Sequence, residues 1–194
     1  MKKLAKLFDV SGATGIRAVV DPLVHPKRPR CKTLKIPGYK QVQGYTCGFI
    51  AAANILHFFT PDAELEYLYE ALDIKDGTTE DEVTDALRQY GIRVRRRTTL
   101  DFKSIQAALQ SGLPIITSVK AMFSGHWVVI YGYDNARKTV FVCGNGILPL
   151  FNRKEVSYGS FCEKWDPVGN GLICSPGTLK QPKLRGKRRK VKIK

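Results

Sequence analysis

The chain has 194 residues, of which 43% are hydrophobic, so it is long enough to bury one sizeable core without disulfide staples. Its five cysteines contain no CxxC pair and leave one thiol over under any complete pairing. This pattern argues against a disulfide scaffold and a zinc site, and it favours a reducing compartment. No apolar run reaches the roughly 18 residues of a membrane helix, and Leu4–Phe8 is too short for a signal-peptide core. We therefore expect a cytoplasmic protein, or one packaged in a particle by a route that leaves no sequence signal.

The net charge of +15 is concentrated at the two ends of the chain. Residues 1–40 carry +8 and residues 180–194 carry +9, whereas the long segment between them carries −2. Blocks of one sign do not pack into a core and are typical of extensions. The predicted organisation is a basic irregular N-terminal extension over residues 1–36, one folded domain over residues 37–179, and a basic disordered tail over residues 180–194.

The tail predicts a partner of opposite charge. Basic blocks bind polyanions by releasing counterions, without sequence specificity, so nucleic acid or another polyanion is the expected partner of the termini. The tail contains no aromatic residue, so base stacking is not indicated. A solubilising extension with no partner is the alternative. The candidate polyanion-binding residues are Lys183, Arg185, Lys187, Arg188, Arg189 and Lys190.

Periodicity and breakers predict helices in the first half of the chain and strands in the second. Thr79 and Glu82 form a capping-box pattern at the start of one of these helices. Helices followed by strands are an α+β order. The predicted helices are Cys47 to about Phe59, Ala63 to Leu72, Thr79 to Tyr90 and Leu100 to Gln110. The predicted strands are an edge strand at Ile92–Arg95, a buried strand at Leu113–Lys120, and a hairpin made of the runs His126–Tyr133 and Thr139–Cys143.

Cys47 lies at the first position of an apolar helix and is followed by Gly48. The free N–H groups and the dipole at a helix N-terminus favour a thiolate, and a nearby imidazolium favours it further. Together they move a thiol pKa from roughly 8.5 towards roughly 3.5–7.5. Cys47 is therefore the candidate nucleophile. The alternative is a small buried core residue.

His126 is the histidine best placed to partner this thiol. The chain has three histidines, and His25 falls in a Pro-rich basic segment. His57 follows Cys47 by ten residues on the same predicted helix, roughly 15 Å along its axis. His126 instead opens the strand-like run, where an imidazole can face a helix N-terminus.

The hairpin that follows His126 brings a polar side chain towards the imidazole. If Asp134 pairs with either of the two basic residues that close the turn, Asn145 or its neighbour Gly146 lies opposite His126. Asn145 can then orient the ring. The alternative is that Asn145, in a Gly-Asn-Gly sequence, is an ordinary turn residue.

Two glutamines precede the nucleophile. Gln41 and Gln43 lie six and four residues before Cys47, close enough for one amide to donate to a developing oxyanion. The alternative for both is a solvated loop amide.

These residues resemble the papain-like cysteine peptidases, and within them the bacteriocin-processing peptidases that remove double-glycine leaders, with their soluble relatives. The matching segments are Gln41–Gly48, Gly125–Asp134 and Cys143–Gly146, in the family's order of Cys, His and Asn or Asp. The resemblance covers roughly residues 37–175. It implies an α+β fold in which an N-terminal helical half carries the nucleophile helix and a C-terminal half forms an antiparallel sheet.

The resemblance also implies a role for each matched residue. Cys47 is the nucleophile, His126 the acid and base, and Asn145 the orienting residue, while Gln41, or else Gln43, holds the oxyanion. No metal and no organic cofactor are implied.

One position departs from the leader-peptidase pattern. That branch usually carries an aspartate, often followed by proline, where this chain has Asn145-Gly146. Asparagine at this place is similar to the papain branch. Asp134 is therefore kept as an alternative third member.

The resulting expectation is a cysteine peptidase that hydrolyses amide bonds of a polypeptide substrate through a thioester. Two alternatives use the same fold: a transamidase or acyltransferase on the same triad, and a catalytically silent papain-like module that binds polyanions. A combined hypothesis is that the basic tails bring the peptidase to nucleic acid or another polyanion.

Overall fold

The computed structural model describes residues 30–41, 45–72, 77–121, 125–144 and 153–182. These residues form five helices and seven strands. The helices are α1 (Cys47–Phe59), α2 (Glu66–Ala71), α3 (Glu80–Gln89), α4 (Phe102–Gln110) and α5 (Tyr158–Lys164). The strands are β1 (Cys31–Thr33), β2 (Ile92–Arg97), β3 (Ile115–Lys120), β4 (Gly125–Asp134), β5 (Thr139–Cys143), β6 (Arg153–Ser157) and β7 (Gly171–Pro176).

Helix α1 is the buried helix of the fold. Every residue from Cys47 to Leu56 is buried, as expected for a helix that is apolar on all sides. It packs against β4 and contacts α2 and α3. Helix α3 begins with the predicted capping box, in which Thr79 accepts a hydrogen bond from the Glu82 backbone and the Glu82 carboxylate accepts one from the Thr79 backbone. Both reciprocal bonds satisfy N–H groups that a helix start otherwise leaves unpaired.

The strands form one antiparallel sheet in the order β2-β7-β3-β4-β5-β6, with β1 paired to the far end of β4. Strand β2 lies at an edge, as its alternating sequence predicts. The first half of the chain is largely helical and the sheet is built mainly from the second half. The α+β class is therefore confirmed.

The packed chain extends beyond both predicted domain boundaries. Strand β1 pairs with β4, and Leu34 and Ile36 are buried in the core, so residues 31–36 pack with the domain. At the other end, the Lys180 backbone donates to the Tyr90 carbonyl at 3.0 Å, and Gln181 exchanges hydrogen bonds with Glu64.

The β4–β5 hairpin differs from the predicted register at the turn. Asp134 pairs with Thr139 across a four-residue turn, one residue later than predicted. A bulge between Ile130 and Gly132 then shifts the pairing by one residue, and Val129 lies opposite Cys143. Such an extra residue bends a strand and resets its register. Beyond the bulge, the strands pair in one of the two registers predicted from the sequence, the one in which Asp134 lies opposite the basic turn residue Lys138.

No helix among the described residues is long and apolar enough to cross a membrane.

Candidate active site

Cys47 is the first residue of α1, and its side chain is buried. The first turn of the helix carries no acidic residue. The positive end of the helix dipole therefore acts on the thiol without a local carboxylate to neutralise it.

A loop from 30 residues further along the chain packs directly onto this helix start. A Cβ atom added at Gly48 would lie 2.5 Å from the Cβ of Thr78, so glycine is the residue that fits there. The Thr78 carbonyl in turn accepts a hydrogen bond from the Trp127 indole N–H at 2.8 Å. Thr78 thus links the N-terminus of α1 to the start of β4. The sequence showed Gly48 beside the nucleophile but gave no sign of its contact.

His126, the second residue of β4, forms a hydrogen bond with Cys47. Burial alone raises the pKa of the Cys47 thiol. That effect is outweighed by hydrogen bonds from His126 and from the Trp127 backbone and by the charge of the imidazolium, so the pKa is lowered overall. Burial alone lowers the pKa of His126, but its hydrogen bonds to Cys47 and to the Gly144 carbonyl raise the pKa overall. Opposite shifts in two facing groups favour the thiolate–imidazolium pair.

The Gly144 carbonyl fixes the orientation of the imidazole. It lies 2.7 Å from the Nε2 atom of His126. Since a carbonyl only accepts, Nε2 carries the proton, and Nδ1 is left to face Cys47. Gly144 has a φ of +90°, a conformation that favours glycine. This main-chain acceptor was not predicted from the sequence, in which the first glycine of the Cys-Gly-Asn-Gly segment is its only indication.

Gln41 lies in a loop that is bound to the Cys47 helix. Its side chain is 3% exposed. The backbone N–H groups of Gly38 and Tyr39 donate to the buried Asn54 side chain at 2.7 Å and 3.0 Å. Asn54 follows Cys47 by two helical turns and so lies on the same face of the helix. The loop therefore runs along the nucleophile's face towards the helix start.

Two predicted site residues lie outside the described residues. Asn145 directly follows Gly144 in the chain, and Gln43 lies between Gln41 and Cys47. The tail candidates for polyanion binding lie outside them as well: Lys183, Arg185, Lys187, Arg188, Arg189 and Lys190.

Asp134 is not brought to the imidazole. It lies at the opposite end of β4 from His126, eight residues away and roughly 25 Å along a strand. Its carboxylate accepts hydrogen bonds from the Ala136 and Arg137 backbones at 2.8 Å and 3.1 Å and pairs with the Arg137 guanidinium at 3.0 Å. These contacts, the Arg137 backbone bond above all, lower the pKa of Asp134. The alternative that made Asp134 the third member is corrected, because this residue closes the hairpin turn.

His57 has a structural role. One ring nitrogen contacts the Tyr39 hydroxyl, and Nε2 lies 2.8 Å from the Ala63 carbonyl. Its two ring nitrogens thus contact Tyr39, in the loop that leads to Gln41, and Ala63, just beyond the end of α1.

A model of the Peptidase_C39 like family matches residues 33–171. The sublancin-168-processing and transport ATP-binding proteins SunT of Bacillus subtilis (strain 168) and of Bacillus phage SPbeta are each 25% identical over 96 residues. That match covers 50% of this chain but 14% of the relatives' length.

Two solved structures share the fold. A double glycine motif protease from an AMS/PCAT transporter, in complex with the leader peptide, has a TM-score of 0.57 and 20% identity. The match covers 75% of this chain and 94% of that one. The peptidase domain of Streptococcus ComA, a bi-functional ABC transporter involved in a quorum sensing pathway, has a TM-score of 0.56 and 19% identity. The match covers 71% of this chain and 96% of that one.

The comparisons agree with the resemblance stated from the three motifs, which is thereby confirmed, and peptidase is the enzyme class of the matched family. Because the family model spans well over half of the residues, this chain belongs to the Peptidase_C39 like family.

Proposed function

We propose that the chain is a cysteine peptidase in which Cys47 is the nucleophile and His126 is the acid and base. The observation that carries the proposal is the pairing of a buried thiol with a half-buried imidazole. A thiol at a helix start and an imidazole at a strand start share a hydrogen bond, and the pKa of each is shifted towards the charged form. This is the arrangement that activates a cysteine for attack.

The reaction follows from these two groups. The Cys47 thiolate attacks the carbonyl carbon of the substrate amide and forms a tetrahedral intermediate. The His126 imidazolium gives its Nδ1 proton to the leaving amine, which departs and leaves a thioester on Cys47. His126, now neutral, takes a proton from water, and the resulting hydroxide attacks the thioester. The acid is released, the Cys47 sulfur leaves as thiolate, and the thiolate–imidazolium pair is restored.

The oxyanion of each intermediate is held by the backbone N–H of Cys47 and the side-chain amide of Gln41, with Gln43 as the alternative donor. The burial of Gln41 in a loop on the Cys47 face of α1 supports this assignment. Donors aimed at the developing negative charge are worth more where water is excluded. Asn145 orients His126 together with the Gly144 carbonyl, which it follows in the chain.

We propose a polypeptide substrate that is cleaved after a double-glycine sequence. The support is the likeness to a double glycine motif protease that was solved with its leader peptide. A double-glycine end carries no side chains beside the scissile bond, so it fits a narrow approach to a buried thiol.

The test is cleavage of a peptide library by the parent protein, Cys47→Ala and Cys47→Ser, read by mass spectrometry. We expect the parent to release a product ending in two glycines, and both variants to release none above background. Cleavage that survives in Cys47→Ala would refute Cys47 as nucleophile. Absence of any cleaved peptide in a library containing double-glycine sequences would refute the substrate.

A second function is supported by the surface of β2. Arg95 and Arg97 are exposed on this edge strand and take part in none of the ion pairs among the described residues. Arg93 lines a cavity of about 540 Å³ together with Lys180, the first residue of the basic tail. We propose that this surface and the tail bind polyanions non-specifically.

The polyanion proposal is tested by titrating a labelled oligonucleotide with the parent and with a variant lacking residues 183–194. We expect affinity that falls steeply with salt, is reduced by the deletion, and is unchanged in Cys47→Ala. Equal affinity with and without the tail would contradict a role for it.

A further inference from the structure

A cavity of about 510 Å³ opens beside His126, which forms part of its wall. Its size lies within the range of roughly 300–1,000 Å³ that is typical of ligand sites. The cavity lies between the sheet and helix α5. Its floor is apolar and is formed by Val119, Val128, Val142, Val156 and Phe161.

Three lysines surround this apolar floor. Lys120, Lys154 and Lys164 line the cavity from β3, β6 and α5, and all three are exposed. None of them takes part in an ion pair among the described residues, and no described acidic residue lines the cavity. Their positive potential is therefore not neutralised locally, and it favours an anionic ligand.

The acidic residues next to these lysines in the chain are directed elsewhere or lie outside the lining. Glu155, which follows Lys154, accepts a hydrogen bond from Thr139 at 3.0 Å and pairs with Arg137 at 2.8 Å. Glu163, which precedes Lys164, is exposed and is not part of the wall.

We propose that this cavity is a specificity site for the substrate, which binds an apolar side chain on the floor and pairs flanking Asp or Glu residues with the three lysines. The inference rests on the proposed peptidase function and deepens it. The imidazole in the wall places the bound segment beside the reacting groups. A polynucleotide fits less well, because its charged backbone would leave the apolar floor uncovered, whereas a peptide with an apolar residue between acidic ones satisfies both parts.

The expected effect of each lysine is moderate, because ion pairs at exposed positions are screened by water and salt. Loss of one should change affinity by about twofold to threefold, and loss of all three by roughly tenfold. The effect should shrink as ionic strength rises, since the Debye length falls from about 10 Å at 0.1 M salt to about 3 Å at 1 M.

The first experiment measures binding without turnover. In a Cys47→Ala background, fluorescence anisotropy gives the Kd for two labelled peptides that share an apolar residue and differ in whether Glu or Gln flanks it. We expect tighter binding of the Glu peptide, and loss of that difference when Lys120, Lys154 and Lys164 are all changed to Gln. Lys103→Gln, an exposed lysine of α4 outside the cavity, is the matched control and should keep the difference.

Two further variants keep the result interpretable. Changing the three lysines to Glu should reverse the preference towards a peptide flanked by Lys. Ser160→Phe, at an exposed lining position of α5, should fill the cavity and weaken binding of both peptides.

The proposal is overturned if the Glu preference is the same in the parent and in both triple variants. It is also overturned if an oligonucleotide displaces the peptide from the parent but not from the triple Gln variant, which would make the cavity a polyanion site. Failure of the proposed peptidase function gives a different result. Protein that retains Cys47 would then cleave neither peptide, whatever the relative Kd values of the two peptides. If both are cleaved, the ratio of their kcat/KM values should follow the ratio of affinities.

Discussion

Replacement of Gly48 by alanine tests the packing that fixes the start of the nucleophile helix. The added Cβ would lie 2.5 Å from the Thr78 Cβ and 2.8 Å from its Oγ1, so Thr78 has to move. Overpacking of this kind costs about 1–3 kcal/mol. The greater helix propensity of alanine offsets about 1 kcal/mol of that. The net loss is therefore at most about 2 kcal/mol, or up to roughly 8 °C in Tm for a chain of this size.

Gly159 provides a matched control, because it is also the second residue of a helix and a Cβ added there meets nothing within 4 Å. Gly159→Ala should leave Tm unchanged or raise it by a few degrees. Calorimetry of both variants measures the difference. Thr78→Gly removes the atoms that clash, so it should recover most of the loss in the Gly48→Ala background. A Gly48→Ala protein as stable as Gly159→Ala would refute the reasoning.

Three further predictions concern the chemistry of the pair. His126→Ala removes the hydrogen bond and charge that lower the pKa of Cys47. Alkylation of Cys47 by iodoacetamide should therefore persist to lower pH in the parent than in the variant. If the two proteins showed the same dependence of alkylation rate on pH, Cys47 would be an ordinary thiol. Peptidase activity should fall at low pH as the Cys47 thiolate is protonated and at high pH as the imidazolium, whose pKa is raised, loses its proton; a profile flat from pH 4 to pH 10 would contradict this. Asn145→Ala should lower kcat by at least about tenfold. Asp134→Asn should leave kcat and KM unchanged, because Asp134 lies at the far end of β4 from His126. If steady-state kinetics showed a large loss for Asp134→Asn and none for Asn145→Ala, Asp134 would be restored as the third member.

The side chains of the candidate site could be predicted from the sequence more readily than its backbone contacts. The contact between Cys47 and His126 was predictable, because a thiol at the start of an apolar helix is a local pattern and the other two histidines are badly placed. The Gly144 carbonyl could not be found in the same way, since every residue has one. The contact of Gly48 with Thr78 joins positions 30 residues apart, and local periodicity contains no such information.

The errors in the fold have similar causes. The hairpin register differs at the turn because Asp134 pairs with Thr139, and the bulge at Tyr131 then shifts the pairing by one residue. The neighbouring Gly132 is closely packed, since a Cβ there would meet Phe141 and the Lys32 carbonyl. Contacts of this kind lie between strands and leave no local pattern in the sequence. Strand β1 was taken as irregular because three residues in a basic segment show no periodicity. Its pairing with β4 depends on a partner about a hundred residues away.

Arg153 shows how such distant contacts hold the site together. Its guanidinium donates to the carbonyls of Ile36 and Pro37 in the segment that leads to Gln41. It also lies over the Tyr131 ring, 5.4 Å from the centroid. In the β5–β6 register Arg153 is opposite Cys143, the residue before Gly144.

One side chain therefore joins the loop that contains Gln41 to the strands on either side of Gly144, whose carbonyl contacts the imidazole. Asn54 joins the same loop to α1, and Thr78 joins that helix to the start of β4. The three links form a closed chain of contacts around Cys47 and His126. A displacement of any one element must then strain the other two, so the separation of thiol and imidazole is set by the packing at this end of the sheet rather than by the pair's own attraction.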